Sequence, residues 1–272
     1  MIAPLQIKLL SKSYERRGKP PFIAVKDLSF EVNAGEIFGL LGPNGAGKST
    51  TLNCITGFYP ATQGEVLIDG FNVHTHSKKA KQRLGVCDQE DTLDTDFDVL
   101  DQMIRYGTFY RMDHFETVKR ARELLETLGL IGKSNELIEN LSGGMRRKLQ
   151  VARALISNPK VLVLDEPTTG LDPDGRRVLW SLLTENRKNG VATLLSTHYM
   201  EEAERLCDRI AILFEGTIFD LDSPERLIEK HVGSTIIEEE IRPGVLWKRN
   251  PNLEDVFLKL TGKSLSGEAR NG

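Results

Sequence analysis

Cysteine is scarce in these 272 residues: Cys54, Cys87 and Cys207 are odd in number and far apart. They fit neither a disulfide framework nor a metal-ligand spacing, and point to a reducing compartment. No apolar run approaches the ~18–20 residues that cross a bilayer. The opening MIAPLQIKLLSKSY lacks the basic start and long apolar stretch of a signal peptide. Charge of one sign is not in excess either: 36 Lys and Arg face 39 Asp and Glu, a formal net charge of -3. There is thus no overall basic footprint of the kind nucleic-acid binding leaves, and no nucleic-acid partner is expected. The cluster Lys78, Lys79, Lys81, Arg83 reads as the wet face of a helix. No internal repeat and no low-complexity linker appears. What remains is a cytoplasmic globular chain, to which any membrane process must bring the membrane part as a separate polypeptide.

With 28% charged and 39% apolar residues the chain can bury one large core or two small ones. QIKLL (6–10), AVKDLSFEV (24–32), EIFGLLG (36–42) and EVLIDG (65–70) read as strands separated by polar turns. From about Asp98 to Asn140 the apolar residues fall at helical spacing with no strand between them, so a helical insertion is expected there. Strand and helix then alternate: KVLVLDEP, RRVLWSLLTENRKNG, VATLLSTH, YMEEAERLCDR, IAILFEG. Such alternation predicts an α/β fold with parallel central strands. Past about Lys230 the pattern weakens into a tail of mixed character.

Gly42, Pro43, Asn44, Gly45, Ala46, Gly47, Lys48, Ser49 and Thr50 carry the register G-x-x-x-x-G-K-[ST] between a predicted strand and a predicted helix. Glycines let the backbone curl so that several N–H groups face phosphate oxygens, and the following helix adds its positive dipole end. Lys48 is placed to reach the β- and γ-phosphates of ATP, and the Ser49 hydroxyl to ligate Mg²⁺. The buried strand Val161–Leu164 ends in Asp165 and Glu166. Beside a phosphate loop, Asp165 is expected to hold Mg²⁺ and Glu166 to polarise the attacking water as general base. Alone, such an acidic pair would read as a solvated strand end.

LSGGMRRKLQVARALISNPK precedes that strand, with Ser142, Gly143 and Gly144 opening a strong helix. Taken alone this is an ordinary cap. In this context it resembles the signature of ABC transporter ATPases, and from Gln6 to about Asp222 the chain is similar to that family throughout. The resemblance implies a P-loop NTPase core, a mostly parallel sheet flanked by helices, with an N-terminal antiparallel β subdomain and a helical signature subdomain at about 96–158. It implies an ATP-binding domain at 1–230 and a C-terminal extension at 231–272. It further implies that Tyr14 stacks on adenine and that Gln89 links Mg²⁺ and water to a transmembrane partner. Gly170, Leu171 and Asp172 would cross between two copies, Ser142–Gly144 of one copy would close on nucleotide held by the other, and His198 would contact the γ-phosphate. Each has a humbler alternative: an edge-strand aromatic for Tyr14, a surface glutamine for Gln89, a core imidazole for His198, a helix cap for Asp172.

GVCDQEDTLDTDFDVLDQM, LSGGMRRKL, THYMEEAERLCDR and PNLEDVFLKLTG resemble the branch that serves ABC-2-type permeases, nearest the ATPases of nodulation-factor-type lipo-oligosaccharide exporters. This implies a homodimer on the inner face of the cell membrane, powering export of an amphiphilic or glycan-bearing substrate. The permease is expected to seat a short helix around Gln89, with Phe97, Phe109, Tyr110 and Met112 as groove candidates. An importer ATPase, a soluble ABC ATPase of ribosomes or DNA, and a P-loop kinase or GTPase are the alternatives. The last would leave the signature and His198 without a task. Two departures stand out: Asp98 replaces the usual threonine as a helix cap, and the stretch from Lys230 to Pro251 is short. Leu253, Val256, Phe257 and Leu260 share one helical face and are expected to pack the tail onto the body.

Overall fold

The computed structural model describes residues 2–242 and 245–261. The chain runs through β1 (Leu5–Arg16), β2 (Lys19–Val32), β3 (Ile37–Leu41), α1 (Lys48–Ile55), β4 (Gln63–Ile68), β5 (Phe71–Asn72), α2 (Ser77–Lys81) and β6 (Leu84–Cys87). Helices α3 (Val99–Phe109), α4 (His114–Thr127) and α5 (Gly143–Leu155) follow. Alternation resumes with β7 (Val161–Asp165), α6 (Pro173–Lys188), β8 (Ala192–Thr197), α7 (Met200–Leu206), β9 (Arg209–Phe214) and β10 (Thr217–Asp222). The end of the chain adds α8 (Pro224–His231), the hairpin β11 (Ile237–Arg242) and β12 (Val245–Arg249), and α9 (Leu253–Thr261).

The expected α/β class is what forms. A six-stranded sheet has the order β10-β9-β3-β8-β7-β6, parallel except for β10, and an antiparallel sheet has the order β2-β1-β4-β5. The central strands are buried on both faces, so they read as continuous apolar runs. Successive side chains nonetheless alternate between two cores. Ile37, Leu41, Leu162, Leu164, Leu195, Ile210 and Ile212 join the core shared with the helices. Phe38, Leu40, Val161, Val163, Leu194, Ala211 and Leu213 join the core shared with the antiparallel sheet. The sheet is thus the floor of one layer and the roof of the other.

Asp98 caps α3, accepting from Asp101 N at 2.7 Å, so one capping residue does replace another. Leu253, Val256 and Phe257 are buried, and α9 packs against α7 and α8. The three cysteines are free and buried. Among the described residues no helix is long and apolar enough to cross a membrane. Three points differ from the sequence reading. Only the lysines of the basic cluster belong to α2; Arg83 lies beyond it and pairs with Asp69 at 2.6 Å. β1 continues past residue 10 to Arg16, carrying Tyr14 opposite Phe22. β6, β10, α8 and the β11–β12 hairpin were not expected as elements, and residues 262–272 of the extension lie outside the described residues.

Strand β6 and helix α5 meet at Gly85, where an added Cβ would lie 2.1 Å from the Ala154 carbonyl oxygen and 3.0 Å from Pro159 Cγ. The contact is backbone against backbone, which no rotamer change relieves. Gly85→Ala is expected to lower stability by about 1–3 kcal/mol, the range for overpacking, read as a lower urea midpoint. An unchanged midpoint would show that α5 and β6 separate freely.

Candidate nucleotide site

Parallel pairing brings four chain segments to one edge. Leu41 at the end of β3 lies opposite Thr197, Ser196 opposite Asp165, and Leu164 opposite Cys87. The phosphate loop, His198, the Asp165–Glu166 pair and Gln89 therefore leave the sheet side by side at the carboxyl ends of β3, β8, β7 and β6. That edge is where open α/β sheets bind ligands.

The loop after β3 is shaped by its glycines. Gly47 stands at the N-cap of α1 with φ of 103°, and a Cβ there would lie 2.7 Å from the Ala24 carbonyl oxygen. Ala46 is buried and turns back through its amide to the Pro43 carbonyl at 3.1 Å. Asn44 and Gly45 are exposed at the tip, Ser49 is exposed and Thr50 half-buried on α1. Lys48 is only 6% exposed, and its Nζ donates to Gly42 O at 2.7 Å and Pro43 O at 3.1 Å. Burial lowers its pKa, opposed by the nearby Glu166 and Asp165 carboxylates. Among the described residues the amides of Gly45, Gly47, Lys48 and Ser49 find no acceptor in the chain. Unpaired N–H groups at a helix N-terminus beside a buried ammonium fit a polyphosphate.

Two carboxylates face this loop from β7. Asp165 accepts a hydrogen bond from the Ser196 hydroxyl. Burial pushes its pKa up; the Ser196 and Ser49 hydroxyls and Lys48 act against that, and Glu166 adds to it. Glu166 is buried with φ of 48°, a left-handed conformation unusual for a residue with a Cβ. Its amide donates to Ser196 O at 3.0 Å, and its Oε1 lies 2.9 Å from His198 Nδ1. Its Oε2 accepts from Gln89 Nε2 at 3.3 Å and from Thr169 Oγ1 at 3.4 Å. His198 is half-exposed on Glu166, which excludes the core-imidazole alternative. Among the described residues no group of three or more His, Cys, Asp or Glu could hold a metal ion. The oxygens of Ser49 and Asp165 are instead a partial, hard donor set, which suits Mg²⁺ arriving with phosphates.

The other sequence-predicted residues lie apart from this cluster. Tyr14 packs edge-on against Tyr59, ring centroids 6.2 Å apart, with Lys12 Nζ 5.1 Å from its ring. Ser142 caps α5 by accepting from Met145 N at 3.3 Å, and Gly144 packs beside Gly170 and Leu171. Asp172 caps α6, accepting from Gly175 N at 2.7 Å. No hydrogen bond joins Ser142, Gly143 or Gly144 to the phosphate loop among the described residues. Next to Gln89 a cleft of about 600 Å³ is lined by Ser49, Phe58, Tyr59, Tyr106 and Tyr110. Of the groove candidates Tyr110 lines it; Phe109 is exposed, Phe97 sits under Arg105, and Met112 packs on the helix-side core.

Sequence reasoning passed over the polar residues of α5. Buried Arg147, Gln150 and Arg153 recur every third residue along the helix and bond to the loop around Gln89. Polar side chains interrupting a buried face were the available signal.

A parallel sheet whose carboxyl edge gathers a lysine-bearing phosphate loop and an acidic strand end defines a P-loop nucleotide triphosphatase. The model of the ABC transporter family matches residues 25–169. Nod factor export ATP-binding protein I of Rhizobium johnstonii is 38% identical, with 97% of each chain covered. Its counterpart in Rhizobium meliloti is 39% identical over 96% of this chain and 89% of that one. Among solved structures, an ATP-binding subunit of an ABC transporter superposes with a TM-score of 0.81 at 26% identity, covering 94% of this chain and 99% of that one. A dimeric ATP-binding cassette in a post-hydrolysis state with ADP and Pi superposes with a TM-score of 0.74 at 29% identity, covering 80% and 98%. The chain belongs to the ABC transporter family, as an ATP-binding and ATP-hydrolysing subunit.

Because Asp165 holds its proton more tightly folded than unfolded, the folded state loses stability as pH rises through the interval between the two pKa values. Asp165→Asn removes that ionisation and keeps an acceptor for Ser196. Nucleotide-free Asp165→Asn protein is expected to melt at the same or a higher temperature at pH 7, with less fall between pH 5 and pH 8. A markedly lower melting temperature would show that the carboxylate stabilises the fold.

Proposed function

We propose that two copies of this chain clasp ATP between them and that the cycle of closing and opening drives export through a separate ABC-2-type permease. The observation that carries the reading is Glu166, buried and held in a left-handed conformation between His198 and Gln89. A carboxylate so placed is fixed in advance for a water at the terminal phosphate.

In this reading the 42–50 loop binds the phosphates through its unpaired amides, and Lys48 exchanges a loop carbonyl for a phosphate oxygen. Ser49, Asp165 and Gln89 would hold Mg²⁺, which supplies charge neutralisation at the β- and γ-oxygens. Tyr14 stacks on adenine. Glu166 takes the proton of the attacking water, and His198, bonded to Glu166, reports the γ-phosphate. The exposed Ser142–Gly144 tip completes the partner's site, and the adjoining Gly170–Asp172 loop crosses between the copies. A second helix N-terminus aimed at the polyanion favours the closed pair while the γ-phosphate is present. ATP then holds the dimer and hydrolysis releases it. The ATPase domain spans 1–230, with α3 to α5 as its signature subdomain and 231–272 as an extension. The cleft beside Gln89 receives a helix of the permease, placing the chain at the inner membrane face. The names of the 38–39% identical relatives support export, and the lipo-oligosaccharide branch supports an amphiphilic or glycan-bearing cargo.

Glu166→Gln is expected to bind ATP, form a lasting dimer on size exclusion, and lose turnover by about 10²–10⁴-fold, the usual weight of a general base. Normal hydrolysis by this variant would remove Glu166 from its role. Gln89→Ala is expected to reduce stimulation of the ATPase by the permease while leaving ATP affinity within about threefold, a loss of coupling rather than of binding. Equal loss of both would count against the coupling role.

A further inference from the structure

The signature helix makes a second set of contacts, directed inward to its own protomer. Arg147, one turn beyond the Ser142 tip, is 7% exposed. Its Nη2 donates to Asp165 O and its Nε to Pro167 O at 3.3 Å. Its Nη1 donates to Asp88 O and to Gln150 Oε1, the latter at 2.8 Å. The carbonyls of Asp165 and Pro167 stand on either side of Glu166, and that of Asp88 immediately precedes Gln89. Gln150 Nε2 adds Glu90 O at 2.8 Å, and Arg153 Nη1 adds Thr92 O at 2.7 Å. One planar, permanently charged fork is therefore bonded to the two backbone segments that aim Glu166 and Gln89. Withdrawing it would leave a buried cation and several carbonyls unpaired, so these segments follow the helix rather than let go. The same bonds help hold Glu166 at its left-handed φ: the peptide unit before it is tied down at Asp165 O, and the chain just after it at Pro167 O.

We propose that Arg147 is a positioning residue that couples the two ATP sites of the dimer. A shift of α5 when its Ser142 tip meets the partner's nucleotide passes through the guanidinium to the backbone that aims Glu166 and Gln89 in the protomer's own site. Each site then hydrolyses in response to what the other holds. The inference rests on the reading that the Ser142 tip closes on the partner's nucleotide.

The test uses the full chain and magnesium ATP. Wild type is expected to hydrolyse with a Hill coefficient between about 1.3 and 2, two being the number of coupled sites. Lysine keeps the charge but is a point donor that cannot span both segments. Arg147→Lys is expected to lower kcat by about tenfold to a hundredfold, the effect of a displaced catalytic group. Its KM should stay within about threefold and its Hill coefficient fall to about 1. Gln150→Met keeps the helix and its volume, and removes the bonds to Glu90 and Asp91 and one acceptor of Arg147 while leaving the arginine's backbone bonds in place. It is expected to lower kcat and the Hill coefficient in the same direction by less, and it carries the test if Arg147→Lys does not fold. A merely structural arginine would instead lower the melting temperature and the active fraction, with the Hill coefficient unchanged. Cooperative turnover at the wild-type rate in the variants, or a wild-type Hill coefficient of 1, overturns the coupling. Glu166→Gln separates the two failures. If it dimerises on ATP while the variants remain cooperative, only the role of Arg147 is lost; if it stays monomeric, the clasp and the coupling fail together.

Discussion

The site depends on the parallel register in which β3, β8, β7 and β6 end level with one another. Each strand contributes one chemical part at its carboxyl end: the phosphate loop, His198, the two carboxylates, and Gln89. None of these parts bonds to another because of nearness in sequence; Gln89 and Glu166 are 77 residues apart and meet at 3.3 Å. What brings them together is the burial of the strands on both faces, which fixes register through two cores at once. A one-residue slip of β7 would exchange its leucines and valines between layers and carry Asp165 away from Ser196.

That register also explains what the sequence could and could not tell. The phosphate loop was legible because its function is local: glycine spacing, lysine and hydroxyl follow one another along the chain. Asp165 and Glu166 were legible as the end of an apolar run. Gln89 could be placed only by resemblance, because β6 is four residues long and was not recognised as a strand. The bond between His198 and Glu166 depends on the strand order β8-β7, which no local pattern states. Arg147, Gln150 and Arg153 escaped for the opposite reason: on a helix that opens with a recognisable motif, charged residues read as solvated, whereas here they are buried against carbonyls. The tail was half legible, since the apolar face of α9 showed itself by spacing while β11 and β12 did not.

The nucleotide-free site is electrostatically unfavourable, and usefully so. Burial lowers the pKa of Lys48 and raises that of Asp165. Both shifts mark charges that the fold holds without full solvation. Lys48 satisfies two of its three donors on the carbonyls of its own loop, while several loop amides find no acceptor among the described residues. A ligand bringing negative oxygens and a hard cation relieves all of these at once, so part of its binding free energy comes from deficits already present in the protein.

One protomer gathers the phosphate loop, both carboxylates, Gln89 and His198, yet among the described residues its signature tip bonds only to its own helix and lies against Gly170 and Leu171. In the proposed function the exposed tip and the exposed Asp172 are a second surface on the same molecule. On that proposal, a molecule with two unlike surfaces, each incomplete, would close with a twofold-related copy so that both are used twice. In such an arrangement the rigid path within a protomer, from tip to carboxylate, matters as much as the contact between protomers. A soft path would let each site close and hydrolyse independently of the other. On the proposed coupling, the four hydrogen bonds of the Arg147 guanidinium stiffen that path, and this gives a buried arginine with no hydrogen-bonded carboxylate partner among the described residues a physical reason to lie between two loops of an ATPase.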